Sequence, residues 1–200
     1  MLDRTLQPLV VSILDVPGRM LGARGVESDW ITLGGFVLGL AGAAAIALGA
    51  YDAALVLVLL NRLADGLDGA VARASGVSDF GRYLDIVFNF IFYAAFALGF
   101  AFADPELALT SAILIFSFLG LGGTVLAYAI IAQGAGLEAD AAGNLWVDSL
   151  SELVGTSETT LALILMALLP AYFGAIALVF ALLCMVTTVF RIVRAWLVLR

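Results

Sequence analysis

Residues 30–51, WITLGGFVLGLAGAAAIALGAY, hold no charged side chain over a length that decides the fold. A run of about 20 apolar residues crosses the hydrocarbon core of a bilayer as an α-helix, and Ser28-Asp29 just ahead of it are expected to supply its N-cap. Working outward, residues 53–60 are apolar and then run into polar sequence without Gly-Pro punctuation. A helix starting near Asp52 is therefore expected to cross and to carry its last turns past the bilayer core. Residues 84–103 are apolar except for Asp85 and Asn89, and apolar segments 107–131, 160–172 and 174–190 follow. The fifth of these six reaches spanning length only with polar residues ahead of Thr160. The rest of the composition agrees: 64% of the 200 residues are hydrophobic and 12% charged, with mean hydropathy +1.13. A soluble domain carries about 25% charged residues, and disordered chains are low in apolar residues. Both classes are excluded.

Charge placement sets the topology. All nine basic residues are arginine: Arg4, Arg19 and Arg24, then Arg62, Arg73 and Arg82, then Arg191, Arg194 and Arg200. With six spans these three groups fall on one side, which the excess of basic residues in cytoplasmic loops makes the inside. The expected architecture is an all-α membrane protein of six transmembrane helices, a single domain over 1–200, with both termini cytoplasmic. The net charge of −7 comes largely from the 134–158 connection, where Glu138, Asp140, Asp148, Glu152 and Glu158 meet no arginine. Acidic residues weigh little in topology, and nothing resembles a basic nucleic-acid footprint. Residues 1–26 place Leu2, Leu6, Leu9, Val10 and Ile13 at helical spacing, with Pro17-Gly18 expected to end the run. Too short to span, this juxtamembrane segment reads as an amphipathic helix on the membrane surface or as a tail packed on the bundle.

The chemistry is limited by what is missing. With no His and one Cys, Cys184, imidazole-based acid–base chemistry and Cys-ligated zinc are ruled out. Carboxylates remain, gathered in residues 61–90, NRLADGLDGAVARASGVSDFGRYLDIVFNF. Asp65 and Asp68 share one helical face, as do Asp85 and Asn89 on the next helix. A carboxylate in the centre of a span costs roughly 2.5–3.5 kcal/mol on insertion scales. Three of them at neighbouring helix ends need arginine partners, protonation or a bound cation. Arginine pairing, Arg62 with Asp65 and Arg73 with Asp68, would make the cluster structural. Gly66, Gly69, Gly76 and Gly81 instead suggest space kept for something the helices do not fill. Oxygen ligands without His or Cys select hard ions such as Mg²⁺ or Mn²⁺, and Mg²⁺ habitually bridges to substrate phosphates.

This run resembles the signature of the CDP-alcohol phosphatidyltransferase family, here at residues 65–89. Asp65, Asp68-Gly69, Ala72-Arg73, Gly81 and Asp85 match in order, with seven residues between Arg73 and Gly81 where the usual form has eight. The resemblance implies transfer of a substituted phosphate group from CDP-diacylglycerol or another CDP-alcohol to an acceptor alcohol, with release of CMP. It implies that Asp65, Asp68, Asp85 and the last position hold one or two Mg²⁺ or Mn²⁺ ions. Asp68, Gly69, Ala72, Arg73 and Gly81 would bind the nucleotide, on the cytoplasmic side, in a homodimer engaged in phospholipid biosynthesis.

The last signature position departs from the family: it is Asn89, where the family has the Asp thought to take the acceptor's proton. An amide cannot act as a general base near neutral pH, so Asn89 is either an isosteric replacement that disables the enzyme or a natural variant with weakened or altered activity. Weaker signals have plain readings beside functional ones. Glu152, Thr156, Ser157, Glu158, Thr159 and Thr160 could meet an acceptor or cap a helix. Arg191 and Arg194 could bind an acceptor phosphate or anchor the inner end of the last span. Trp30, Trp146 and Trp196 suit membrane interfaces, and Cys184 suits packing. Two rivals remain: a cation transporter that uses the Asp cluster, and a catalytically inactive scaffold with the same fold.

Overall fold

The computed structural model describes residues 3–76, 78–134 and 150–200, and every regular element among them is helical. Glu138, Asp140, Trp146 and Asp148 lie outside the described residues. Among the described residues seven α-helices have both ends defined: α1 Asp3–Ala23, α2 Ser28–Ala47, α3 Tyr51–Ser75, α4 Asp79–Ala103, α5 Ala108–Gly134, α6 Thr156–Leu168 and α7 Phe173–Leu199. Among the described residues four stretches are long and apolar enough to cross a membrane: Ser28–Ala47, Asp79–Ala103, Pro105–Ala132 and Pro170–Leu199. Helix α6 is apolar but shorter. Helix α3 is long enough at 25 residues, about 37 Å at 1.5 Å per residue, but its second half carries Arg62, Asp65, Asp68 and Arg73. Apolar side chains cover the outside of the bundle, Leu109 and Ile130 being 73% and 71% exposed. A lipid environment explains that surface, since soluble proteins keep such patches small.

The core is an aromatic column. Phe92, Phe96 and Phe100 recur every fourth residue on one face of α4 and are all buried. Phe100 stacks on Phe173 at 3.8 Å between ring centroids, and Phe118 meets Phe180 edge-on at 6.0 Å. Helix α2 packs against α3 and α4, α5 against α7, and α6 against α3 and α7. A polar bond inside this packing helps to tie α2 to α3: the buried Asn61 donates from Nδ2 to the Gly35 carbonyl at 2.8 Å. Leaving those groups unpaired in an apolar interior would cost about 1–3 kcal/mol.

Two local expectations are corrected. The amino-terminal helix does not stop at Pro17-Gly18 but runs on to Ala23 with both Pro8 and Pro17 inside it. Proline removes one helical hydrogen bond, and tertiary contact offsets the loss. Gly18 lies so close to α3 that a Cβ on it would stand 2.6 Å from Ala70 Cβ, while Leu14 lies against Gly66. Gly18→Leu is therefore expected to lift α1 off α3 at about 1–3 kcal/mol for an overpacked contact; earlier proteolysis of residues 3–23 with α2–α7 intact is the measurement. The Ser28-Asp29 pair does not cap α2, whose N-cap is Glu27 without a side-chain bond. Asp29 instead accepts from the Ser78 hydroxyl at 3.1 Å, and that hydroxyl caps α4 by accepting from Gly81 N–H at 2.7 Å.

Candidate active site

The polar half of α3 faces the first turns of α4, and the two helices bring the signature carboxylates to one small cavity. Asp65, Asp68, Asp85 and Asn89 line it together with Thr32, Asn61 and Arg62. Its open volume of about 20 Å³ admits little more than one water-sized particle. Asn89 Nδ2 donates to Asp65 Oδ1 at 2.9 Å and to Asp85 Oδ1 at 2.8 Å, bridging the two helices. Asp68 is buried and accepts from the Thr32 hydroxyl at 2.7 Å, which fixes its carboxylate from α2. Among the described residues no three acidic or thiol side chains form a ready-made metal cage. An oxygen-only donor set beside open space still fits a hard cation that completes its shell with water and phosphate oxygens.

The arginines sort differently from the simple pairing scheme. Arg62 approaches Asp65 at 3.5 Å as that scheme expects. Arg73 reaches Asp15 of α1 at 3.2 Å instead of Asp68, so that Asp68 keeps no arginine of its own on α3. Exposed pairs such as this one contribute little to stability, leaving Arg73 available to an anion.

The four glycines also divide. Leu14 fills the space beside Gly66, and Asp29 fills the space beside Gly81. Gly76 has a φ of +101° in the turn after α3, where L side chains are disfavoured. Gly69 borders open volume on two sides, with the Arg73 guanidinium 3.5 Å from where its Cβ would stand. Two larger spaces join there. One of about 420 Å³ runs from Asp68, Gly69 and Asp85 past Tyr93 to Thr156 and Arg191. The other, about 640 Å³, is a groove between α1, α3 and α6 bounded by Ile13, Leu14, Gly69, Arg73, Thr160 and Ile164. Ala72, half-buried one turn beyond Asp68, lines neither space, and the same holds for Gly81.

Sequence reasoning passed over Thr32 and Asn61, because each makes its bond to another helix at no helical spacing. It also left Arg191 open between a phosphate ligand and an anchor. In the structure Arg191 donates to three backbone carbonyls: Ser151 at 2.9 Å, Leu121 at 3.0 Å and Val154 at 3.2 Å. At the start of α6, Gly155 is the N-cap, and Glu158 accepts from its N–H at 3.1 Å, so Glu158 serves the helix end.

The fold is thus a helical membrane bundle in which carboxylates from two adjacent helices meet at a small cavity, next to a glycine and an arginine that border open volume. The profile of the CDP-alcohol phosphatidyltransferase family matches residues 27–198, and the chain belongs to that family. It is 40% identical over 201 residues, 100% of this chain and 98% of the relative, to "Inner membrane protein YnjF" of Escherichia coli (strain K12). Among solved structures it resembles the phosphatidylinositol phosphate synthase (PgsA1) of Mycobacterium tuberculosis with CDP-DAG bound. The TM-score is 0.70 at 22% identity, over 92% of this chain and 94% of that one. The same synthase in complex with manganese and citrate gives 0.65 at 21% identity, over 92% and 88%. Likeness at that identity speaks for the fold.

Proposed function

We propose that this chain is a multi-pass inner-membrane transferase that moves a substituted phosphate group from a CDP-linked lipid to an acceptor hydroxyl and releases CMP, weakened by Asn89. The observation that carries the reading is the convergence of Asp65, Asp68 and Asp85 on one cavity that continues into open volume beside Gly69 and Arg73. Asp65, Asp68 and Asp85 would hold one or two Mg²⁺ or Mn²⁺ ions, and such ions neutralise charge on the transferred phosphoryl group and on departing CMP. Gly69 lets the diphosphate approach α3, and Arg73 offers it a planar donor fork; Ala72 and Gly81 belong to the same signature but line neither open space. The groove beside α1 and α6 suits the acyl chains of CDP-diacylglycerol. The PgsA1 structures, one with CDP-DAG and one with manganese, make both ligands reasonable for the family fold.

In the reaction the acceptor oxygen forms a bond to the phosphorus that carries the alcohol, and the bond from that phosphorus to the CMP oxygen breaks. The acceptor's proton needs a base. Asn89 cannot supply one, and in this reading the neighbouring Asp85, 2.8 Å from its amide nitrogen, takes it. For topology we propose six crossings, α2 to α7, with both ends and the acid cluster cytoplasmic, one domain over 1–200, and a homodimer. Ile13, Val16 and Met20 form an exposed apolar stripe on α1, which suits a helix lying in the membrane surface.

The test is ligand-dependent thermal stability in detergent. Mn²⁺ with CDP-diacylglycerol is expected to raise the melting temperature by several degrees, as binding to the native state alone requires, and Asp68→Asn abolishes the shift. A shift with Mn²⁺ alone, indifferent to nucleotide and joined to Mn²⁺ uptake into proteoliposomes, would instead make the chain a cation transporter. Nucleotide-dependent stabilisation without turnover in any variant would leave an inactive scaffold.

A further inference from the structure

Among the described residues Arg62 is the one basic side chain lining the acid cavity, and each of its three guanidinium nitrogens is engaged. Its side chain is 6% exposed, unusual for arginine unless it is paired. Nε donates to Asn61 Oδ1 at 2.8 Å, Nη2 to Asn89 Oδ1 at 3.0 Å and Nη1 to the Tyr93 hydroxyl at 3.3 Å. The guanidinium carbon lies 4.9 Å from the Phe92 ring centroid and 5.5 Å from that of Tyr93, contacts that favour a partly desolvated cation. Asn61 is itself fixed by its bond to Gly35, so the guanidinium is held in place from α2, α3 and α4.

The consequence falls on Asn89. Its amide oxygen points at Arg62, and its nitrogen points at Asp65 and Asp85. Turning the amide over would set NH₂ against guanidinium donors and oxygen against two carboxylates, losing all three bonds. Asn89 thus offers donors to the acid cluster and no lone pair. The charged lining of the cavity is three carboxylates, Asp65, Asp68 and Asp85, and one guanidinium. Its formal charge of two negative units matches one divalent ion.

We propose that Arg62 is a built-in counter-ion and positioning residue that, by orienting Asn89 as a donor, limits the acid cluster to a single divalent cation. The proposal rests on the metal-dependent transferase reading and adds a stoichiometry to it. It assigns Asn89 a hydrogen-bonding role in place of the metal ligation implied by the family signature.

Mn²⁺ binding to the purified full chain, followed by electron paramagnetic resonance and calorimetry, tests it without turnover. The wild type is expected to bind one Mn²⁺ per chain. Arg62→Met, with the cation gone and Asn89 free to turn, binds Mn²⁺ on the order of tenfold more tightly or takes a second ion. Arg62→Lys, which keeps the charge, stays near wild type. Asn89→Ala keeps the wild-type affinity within about twofold, since it removes no oxygen ligand; this variant decides the matter if Arg62→Met does not fold. Two ions in the wild type, no gain in folded Arg62→Met, or clear weakening in Asn89→Ala would each overturn the proposal while leaving the metal site standing. Absence of Mn²⁺ binding in wild type and Asn89→Asp alike, with both folded, would remove the underlying reading as well.

Discussion

Asn89→Asp is expected to raise Mg²⁺- or Mn²⁺-dependent CMP release from CDP-diacylglycerol by about two orders of magnitude or more, within the 10²–10⁴ range of a positioned general base. The substitution is isosteric, so the new carboxylate occupies the place of the amide between Asp65 and Asp85. One oxygen stays on Arg62, which already donates to that position at 3.0 Å. The other replaces a nitrogen that now donates to Asp65 and Asp85 at 2.9 Å and 2.8 Å. Three carboxylate oxygens then face one another, and only a cation or a proton relieves them. The variant should therefore melt below the wild type in chelator and regain or exceed wild-type stability with Mn²⁺. The assay compares both proteins across a panel of acceptor alcohols, with melting curves in parallel. If Asn89→Asp binds Mn²⁺ and the nucleotide lipid yet releases no more CMP than the wild type, Asn89 is not the disabling position, and Asp85 or another group limits the reaction.

What could be read in advance follows from the range of the interactions. The acid pairs were legible because Asp65 with Asp68, and Asp85 with Asn89, share helical faces by spacing alone. Long charge-free runs made the apolar helices legible for the same reason. Arg62 near Asp65 is likewise one turn of one helix. Interactions between helices were not legible. Asp15 captures Arg73 across 58 residues, and Thr32 reaches Asp68 across 36; neither spacing has a period. The glycines show the limit most plainly. A missing side chain signals close approach without naming what approaches, and Leu14 and Asp29 took two of the spaces that the sequence left open for a ligand. Helix α1 passed its prolines for a related reason: propensity is local, while the contact of Gly18 with Ala70 is not.

Arg191→Met is expected to destabilise the protein by about 3–5 kcal/mol, from hydrogen bonds to a charged group of about 1.5–3 kcal/mol each that partly compensate. The three carbonyls it serves lie on two sequence-distant pieces: Leu121 in the middle of α5, and Ser151 and Val154 just ahead of α6. Arg191 itself is on α7, so one side chain joins three segments where the chain must turn back into the bundle. Val154 is buried, and its carbonyl would be left with little access to water. Met keeps much of the volume of the stem, so the loss reports on the guanidinium rather than on a cavity. Arg191→Lys should recover only part of the stability, because an ammonium is a point charge that cannot span carbonyls on both sides as a planar fork does. The measurements are thermal unfolding in detergent and limited proteolysis around residues 150–155, where cleavage should quicken before global melting. An arginine held chiefly for an acceptor phosphate would behave differently: Arg191→Met would melt like the wild type and lose only acceptor affinity. Stability and acceptor KM, measured on the same variant in the Asn89→Asp background, therefore separate a strut that shapes the active-site wall from a ligand that reads the substrate.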